Sequence, residues 1–400
     1  MKKTLLAIAV LGAAAMTAQA ANVTLYGGVD GGVFYKNAKQ TLNGAVVGAK
    51  ESSFKLADGI DGANKFGLKG EEDLGNMKVG FQLENGFHIA NGALNKGGKI
   101  FDREARLYVK GAFGEVAAGR FGGLASAAGS YNIFFKNADA FDGGDNDVPY
   151  AFATSTRYDN SLVYQSPEFA GLQGTLMYSF QKEGDQAAKF KDNNRYAGFG
   201  LTYKHDQLTL VGTVEGQIRA SVKDQNKQKK PKNGMTYSLG GNYDFDVAKL
   251  YTGAQIARNT NLGDIKQGID FAGLVNKKQK LEGDNLKKAI DSLTSHQFNG
   301  YAFTLGTQIP FGANNVTLGA YYGRYKNAVA IEPDSLVMAK AGKKEVKMTI
   351  YGLAGRYEYS LSKRTTVYAG AGIGQTKFTA PETTIKDKVA QVYAGLHHNF

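Results

Sequence analysis

From residue 22 onward the chain alternates. In 22–35, Val23, Leu25, Val29 and Val33 share one parity, with Gly27 and Gly31 between them, while Thr24, Tyr26 and Asp30 share the other. In 76–88, Val79, Phe81, Leu83 and Phe87 oppose Lys78, Gln82, Glu84 and His88. Ala105, Leu107 and Val109 likewise alternate with Glu104, Arg106, Tyr108 and Lys110. Successive side chains of a strand point to opposite faces, so a period of two predicts strands with one apolar and one wet face. Sixteen such segments follow one another, at 22–35, 64–71, 76–88, 102–111, 114–121, 159–166, 171–182, 194–204, 207–218, 235–243, 248–258, 298–308, 314–325, 346–359, 364–376 and 389–400. Their lengths centre on about ten residues, which is what a tilted strand needs to cross a bilayer.

The connections alternate too. Short turns fall at 73–75, 112–113, 167–170, 205–206, 244–247, 310–313 and 360–363. Between them lie long polar stretches at about 36–63, 89–101, 122–158, 183–193, 219–234, 259–297, 326–345 and 377–388. Seven short and eight long connections join sixteen strands and leave both chain ends on the short-turn side. Transmembrane barrels have this asymmetry, with short periplasmic turns and long outer loops, whereas a sandwich has Greek-key crossings. The final segment runs to Phe400 without a tail. A last strand that pairs with the first would leave no edge exposed.

Composition fits this reading. The chain has 52 Gly, 22 Tyr and 23 Phe, but 6 Pro, no Trp and no Cys. Glycine and aromatics with little proline favour many strands and tight turns. Residues 1–20 stand apart: Lys2 and Lys3 precede a short apolar run at 5–15, and Ala18, Gln19 and Ala20 make a small-x-small site. This predicts a cleaved signal peptide over 1–20 and a mature barrel domain over 21–400. The run is too short to span a bilayer as a helix. The net charge is +12, and +10 without Lys2 and Lys3. Export argues against a nucleic-acid partner and for anionic solutes and lipid headgroups.

At particular segments the chain resembles the general-diffusion porins of the Neisseria and β-proteobacterial type. VTLYG at 23–27 is similar to that family's opening strand, and KFGLKGEEDLGN at 65–76 to its first hairpin turn. FQLE at 81–84, FGEV at 113–116, GR at 119–120, PEFAG at 167–171 and YSLSKRT at 359–365 follow in the family's order. GLHHNF at 395–400 resembles its terminal strand, whose last Phe, here Phe400, the family uses as an assembly signal. The resemblance implies a sixteen-stranded outer-membrane barrel, a homotrimer, contact with outer-membrane lipid and lipopolysaccharide, and a loop after the fifth strand folded into the lumen. The 259–297 loop departs from the family pattern, being Lys-rich with a helical pattern near 283–293.

A diffusion pore needs a constriction with a set radius and a transverse field. The stretch 122–158 is too long for a linker. It carries Asp139, Asp142, Asp145 and Asp147 around Gly143 and Gly144. The first strands put Lys65, Lys69, Lys78, Arg106 and Lys110 on the polar parity, and parity leaves the direction of Arg120 open. An acidic loop facing a basic wall would orient polar solutes and bias ion passage. The alternative is a solvated outer turn with lysines beside headgroups.

Other chemistry finds little footing. The spacing of Asp142, Asp145 and Asp147 is not that of an EF-hand, and position twelve of such a loop is Ala153. With five His, no Cys, no H-E-x-x-H and no G-x-S-x-G, the sequence points to no metal, cofactor or catalytic residue. The expectation is therefore an all-β outer-membrane porin, passing small ions and polar solutes with weak anion preference. A barrel-scaffolded adhesin or receptor, or an outer-membrane enzyme, are the alternatives. Turnover on lipid or peptide would favour the enzyme, and a folded barrel without conductance the adhesin.

Overall fold

The computed structural model describes residues 23–43, 45–46, 51–154, 156–180, 193–220, 232–261, 264–265, 297–331, 342–380 and 383–400. The expected signal peptide and the helical pattern at 283–293 lie outside these residues. The described strands are β1 (Thr24–Leu42), β2 (Ala45–Val46), β3 (Glu51–Asp58), β4 (Lys65–Asp73), β5 (Met77–Gly86), β6 (Glu104–Gly111), β7 (Gly114–Gly122), β8 (Arg157–Gln165) and β9 (Leu172–Ser179). They continue with β10 (Arg195–His205), β11 (Leu208–Ile218), β12 (Gly234–Asp244), β13 (Lys249–Asn261), β14 (Gln297–Phe311) and β15 (Asn314–Ile331). The last are β16 (Gly342–Ser362), β17 (Thr365–Ala380) and β18 (Thr383–Asn399). One short helix, α1 (Phe135–Ala138), interrupts the series among the described residues.

All belong to one sheet of antiparallel neighbours, closed by β1 against β18 from Gly28↔Asn399 to Leu42↔Ile385. The two-residue β2 is a rim addition. β3 and β4 are two halves of one stave, since β3 pairs with Gly31–Ala38 and β4 with Thr24–Gly28 of β1. The wall therefore has sixteen staves. Closure satisfies every ladder from within, which a lipid-exposed sheet requires. Phe400 completes it: its backbone exchanges two 3.1 Å hydrogen bonds with Gly27. A Cβ at Gly27 would sit 2.5 Å from the Phe400 ring.

The expected 36–63 loop is in part strand. β1 continues to Leu42, and β3 returns alongside it. The segment's alternation stops there, which is why the pattern alone predicts a loop. Above the apolar belt neither face has to be greasy, so pairing continues without a period-two signature. The same holds at the ends of β15 and β16, which reach Ile331 and start at Gly342. Between β3 and β4 the stave breaks around Asp30. Its carboxylate accepts from the Asp61 and Gly62 amides at 2.5 Å each, and its own amide donates to the Asn64 side chain at 2.5 Å.

Large apolar side chains of one parity face outward and stay exposed, among them Leu107, Phe199, Leu239, Phe303, Leu353 and Val392. Buried groups of the other parity face in, where a second hydrophobic cluster forms around residues 121–153.

Candidate functional site

The segment 123–154, between β7 and β8, is folded inside the barrel. It runs out along the inner wall from β10 to β18 at Asp145, then turns back to β15 at Ala151 and β13 at Ala153. What makes room for it is a floor without side chains. A Cβ on Gly200 would stand 2.2 Å from Ile133, on Gly240 2.6 Å from Ala138, and on Gly306 2.7 Å from Ala140. On Gly323 it would stand 2.6 Å from Ala151, and on Gly352 and Gly372 2.5 and 2.4 Å from Val148. Contacts this short do not occur between real carbon atoms, so these positions exclude any larger residue while the loop is docked.

Polar anchors hold the loop along its length. Tyr196 of β10 accepts from the Leu124 amide at 3.2 Å and donates to Glu215 of β11. Asn242 donates to the Asn137 carbonyl at 2.7 Å and Gln308 to that of Ala140 at 2.9 Å. Gln255 exchanges a hydrogen-bond pair with the backbone of Ala153, at 2.8 and 3.0 Å. Tyr325 donates to the Ala151 carbonyl at 2.7 Å. Ala151 has a left-handed φ of 72°, a strain that a non-glycine residue keeps only when its surroundings fix it. Between the anchors Phe134, Phe135, Tyr150 and Phe152 stack edge-on and face-on, with ring centroids 4.9–6.0 Å apart.

The four loop acids have different surroundings. Asp139 is buried: it accepts from the Gly143 and Gly144 amides at 2.8 and 2.9 Å and from Thr304 of β14 at 3.1 Å. Asp145 is buried against β18, accepting from Tyr393 at 2.7 Å and Gln391 at 2.9 Å. Burial pushes both carboxyls above the ordinary carboxylate range. These two are anchors. Asp142 and Asp147 are exposed. Asp142 accepts from Asn132 at 2.7 Å, and Asp147 forms a 3.0 Å ion pair with Lys36 of β1.

The wall opposite carries Lys65, Lys69, Lys78, Arg106 and Lys110 on the inward face of β4–β6, interleaved with acids. Lys65 and Arg103 flank Glu84 at 3.1 and 2.7 Å. Lys78 pairs with Glu71 at 3.2 Å, and Lys110 also reaches Glu71. Lys69 lies over the Tyr26 ring. Arg106 bonds Glu115 at 3.1 Å and Tyr131 of the inner loop at 3.2 Å.

Arg120 stands elsewhere. It falls between Gly119 and the inward Phe121, opposite a bulge in β8, beside outward Ala118 and Leu162. There it bonds Asp159 at 2.6 Å, which Lys99 also reaches at 2.5 Å. It therefore faces away from the lumen.

Among the inward cations absent from the sequence reading, two meet the inner loop. One is Lys36. The other is Arg356 of β16, which bonds Asp61 and Glu358 at 3.0 Å each and lies over the Phe141 ring of the inner loop. From Val346 to Ala354 the inner parity of β16 is Val, Met, Ile, Gly and Ala, so the charges at Arg356 and Glu358 were the available signal.

Residues 7–379 match the family described as Gram-negative porin. An outer membrane porin protein of Bordetella pertussis is 30% identical over the whole of both chains. Outer membrane porin protein 32 of Delftia acidovorans is 28% identical over 78% of this chain and 88% of its own. Among solved structures, an anion-selective porin from Comamonas acidovorans superposes with a TM-score of 0.60 at 21% identity, covering 95% of this chain and 99% of that one.

Proposed function

The chain belongs to the Gram-negative porin family, and from that premise we propose how its lumen works. As an outer-membrane porin it is a water-filled channel for passive diffusion of small hydrophilic solutes. The proposal concerns the narrow part. We place the constriction between the exposed edge of the inner loop, at Asp142 and Asp147, and the cations Lys36, Arg106 and Arg356. The observation that carries this is that the loop seated on β10–β18 leaves Asp142 and Asp147 exposed while the wall of β4–β6 carries the cations, with the Lys36–Asp147 pair tying the loop's edge to β1 beside β18. Lys65, Lys69, Lys78 and Lys110 continue the cationic lining on the same wall.

Asp139 and Asp145 are buried in anchoring contacts away from the pore water, and burial raises both carboxyls above their ordinary range. This leaves the basic residues the stronger influence on passing ions, in keeping with weak anion preference. The pore makes and breaks no bonds, so no catalytic residue is assigned. A homotrimer embedded among outer-membrane lipid and lipopolysaccharide, and a leader removed after residue 20, complete the proposal.

Single-channel conductance in a planar bilayer under a salt gradient tests it. The expected record has stable steps, closures in threes and an anion-selective reversal potential. A cation-selective potential would overturn the assignment of the constriction. Silence from folded, inserted protein would overturn the pore itself.

A further inference from the structure

The break between β3 and β4 does not stay in the wall. Residues 59–64 leave the stave beside β1 and cross its inner face. The Gly59 amide donates to the Asp30 carbonyl at 3.1 Å, and the Ala63 carbonyl lies 3.7 Å from where a Cβ on Gly28 would stand. A Cβ on Gly62 would overlap the His397 ring of β18, one stave further on. Asp61 then reaches two partners, His397 at 3.0 Å and Arg356 of β16 at 3.0 Å. Between its own stave and β16 lie β1, β18 and β17. An ion pair across three staves requires that the chain at Asp61 project into the lumen.

The crossing and the inner loop share their seats. Ile60 is buried with Phe34, Tyr368 and Tyr393. Tyr368 donates to Asp30, the carboxylate that also takes the Asp61 and Gly62 amides. Tyr393 stacks on Phe34 with ring centroids 6.0 Å apart, while its hydroxyl bonds Asp145 of the inner loop. Arg356 meets both folds, bonded to Asp61 and lying over Phe141. His397 is four residues beyond Tyr393 toward the short-turn end of β18, so the crossing lies on that side of the inner loop.

We propose that residues 59–64 form a second narrow element on the solute path, on the short-turn side of the inner loop, and that Asp61 determines selectivity there. The proposal rests on the channel reading given above. Asp61 acts through Arg356: it draws the guanidinium toward the lumen and offsets its charge, together with Glu358 at 3.0 Å. Fixed charge at a narrow place biases which ions pass, so the balance of this cluster is felt by the permeating ion.

The test is single-channel conductance and reversal potential of the full-length protein in a planar bilayer. D61N should raise the anion-to-cation permeability ratio by about two- to threefold, and D61E should restore it. D61N/R356Q should return close to the wild type, because one charge of each sign has gone. An acid that only braced the fold would give no such cancellation. Should D61N not fold, A63C poses the question without touching the cluster. The wild type has no cysteine, so a cationic, water-soluble thiol reagent would attach at residue 63 alone. Attachment should lower the open-channel conductance in discrete steps and leave the wild type unchanged. Wild-type selectivity in D61N, or a conductance that modification of A63C does not alter, would overturn the proposal. Silence of folded, inserted wild-type protein would strike the channel reading and this proposal with it.

Discussion

The two halves of the inner wall are made of different residues. From β4 to β6 the inward positions are Lys, Arg, Glu, Gln and Tyr, with cations and acids set side by side. From β10 to β17 they are largely Gly, Ala, Thr and Tyr, and the inner loop rests on them. One half sets the field, and the other sets the shape. Neither can do the other's work. A charged side chain at Gly306 or Gly323 would evict the loop, and a glycine at Arg106 would leave Glu104 and Glu115 without a partner they now share.

The largest effect should come from filling the glycine floor. G306V/G323V puts side chains where Ala140 and Ala151 now lie. Overpacking costs about 1–3 kcal/mol per site. The barrel ladders should survive, as circular dichroism would report, while the loop leaves the wall. Conductance and the size limit for sugars should both change markedly. G97A, at a glycine with open space around it, is the matched control and should behave as the wild type. Unchanged conductance in the double variant would mean that the floor does not seat the loop.

A smaller effect is expected at the anchors. D145A leaves the Tyr393 hydroxyl and the Gln391 amide buried without their acceptor. Stranding such groups costs about 1–3 kcal/mol. The loop should stay inside but move more, seen as added open-channel noise and brief closures. Y393F removes one of those bonds and should give the milder version.

On the charged half, substitutions should change selectivity and leave size alone. R356Q leaves Asp61 and Glu358 less compensated, and K36Q frees Asp147. Both should move the reversal potential toward cations, by about two- to threefold in permeability ratio. K69Q should move it least, because Lys69 lies over the Tyr26 ring on the wall of the barrel and not against the inner loop. If R356Q changes the size limit for sugars as strongly as G306V/G323V, the division of labour between the halves fails.

The sequence carried these halves unequally. The staves were legible because the bilayer demands a greasy face at every second residue, and the inward parity of Lys65, Arg106 and Lys110 follows from the same rule. Arg120 escaped it, because a bulge in β8 breaks the ladder on that side and its direction shows only in its pairing with Ala105 of β6. The four loop acids had no periodicity at all. Asp139 and Asp142 are three residues apart, yet one is buried under β14 and the other exposed, a distinction set by the turn at Gly143 and Gly144. The glycine floor was written in the chain as glycines at inward parity on successive strands. Its meaning needed the object resting on it.

The smallest expected effect concerns pH, and its sign tests how the anchors hold the loop. Burial holds the Asp139 and Asp145 carboxyls above the ordinary range in the docked loop, whereas an undocked loop would return them to about 4. The docked state therefore binds protons more readily. Its advantage is full below the ordinary carboxylate value and declines as pH rises through the raised values. Mild acidification from neutral should thus quiet the open channel, and alkalinisation should add noise. D145N carries a neutral side chain of the same shape, so its noise should lose the part of this dependence that Asp145 supplies. Noise that grows on acidification would show that the anchors hold the loop as carboxylates, and the glycine half would then owe its grip to charge as much as the basic half does.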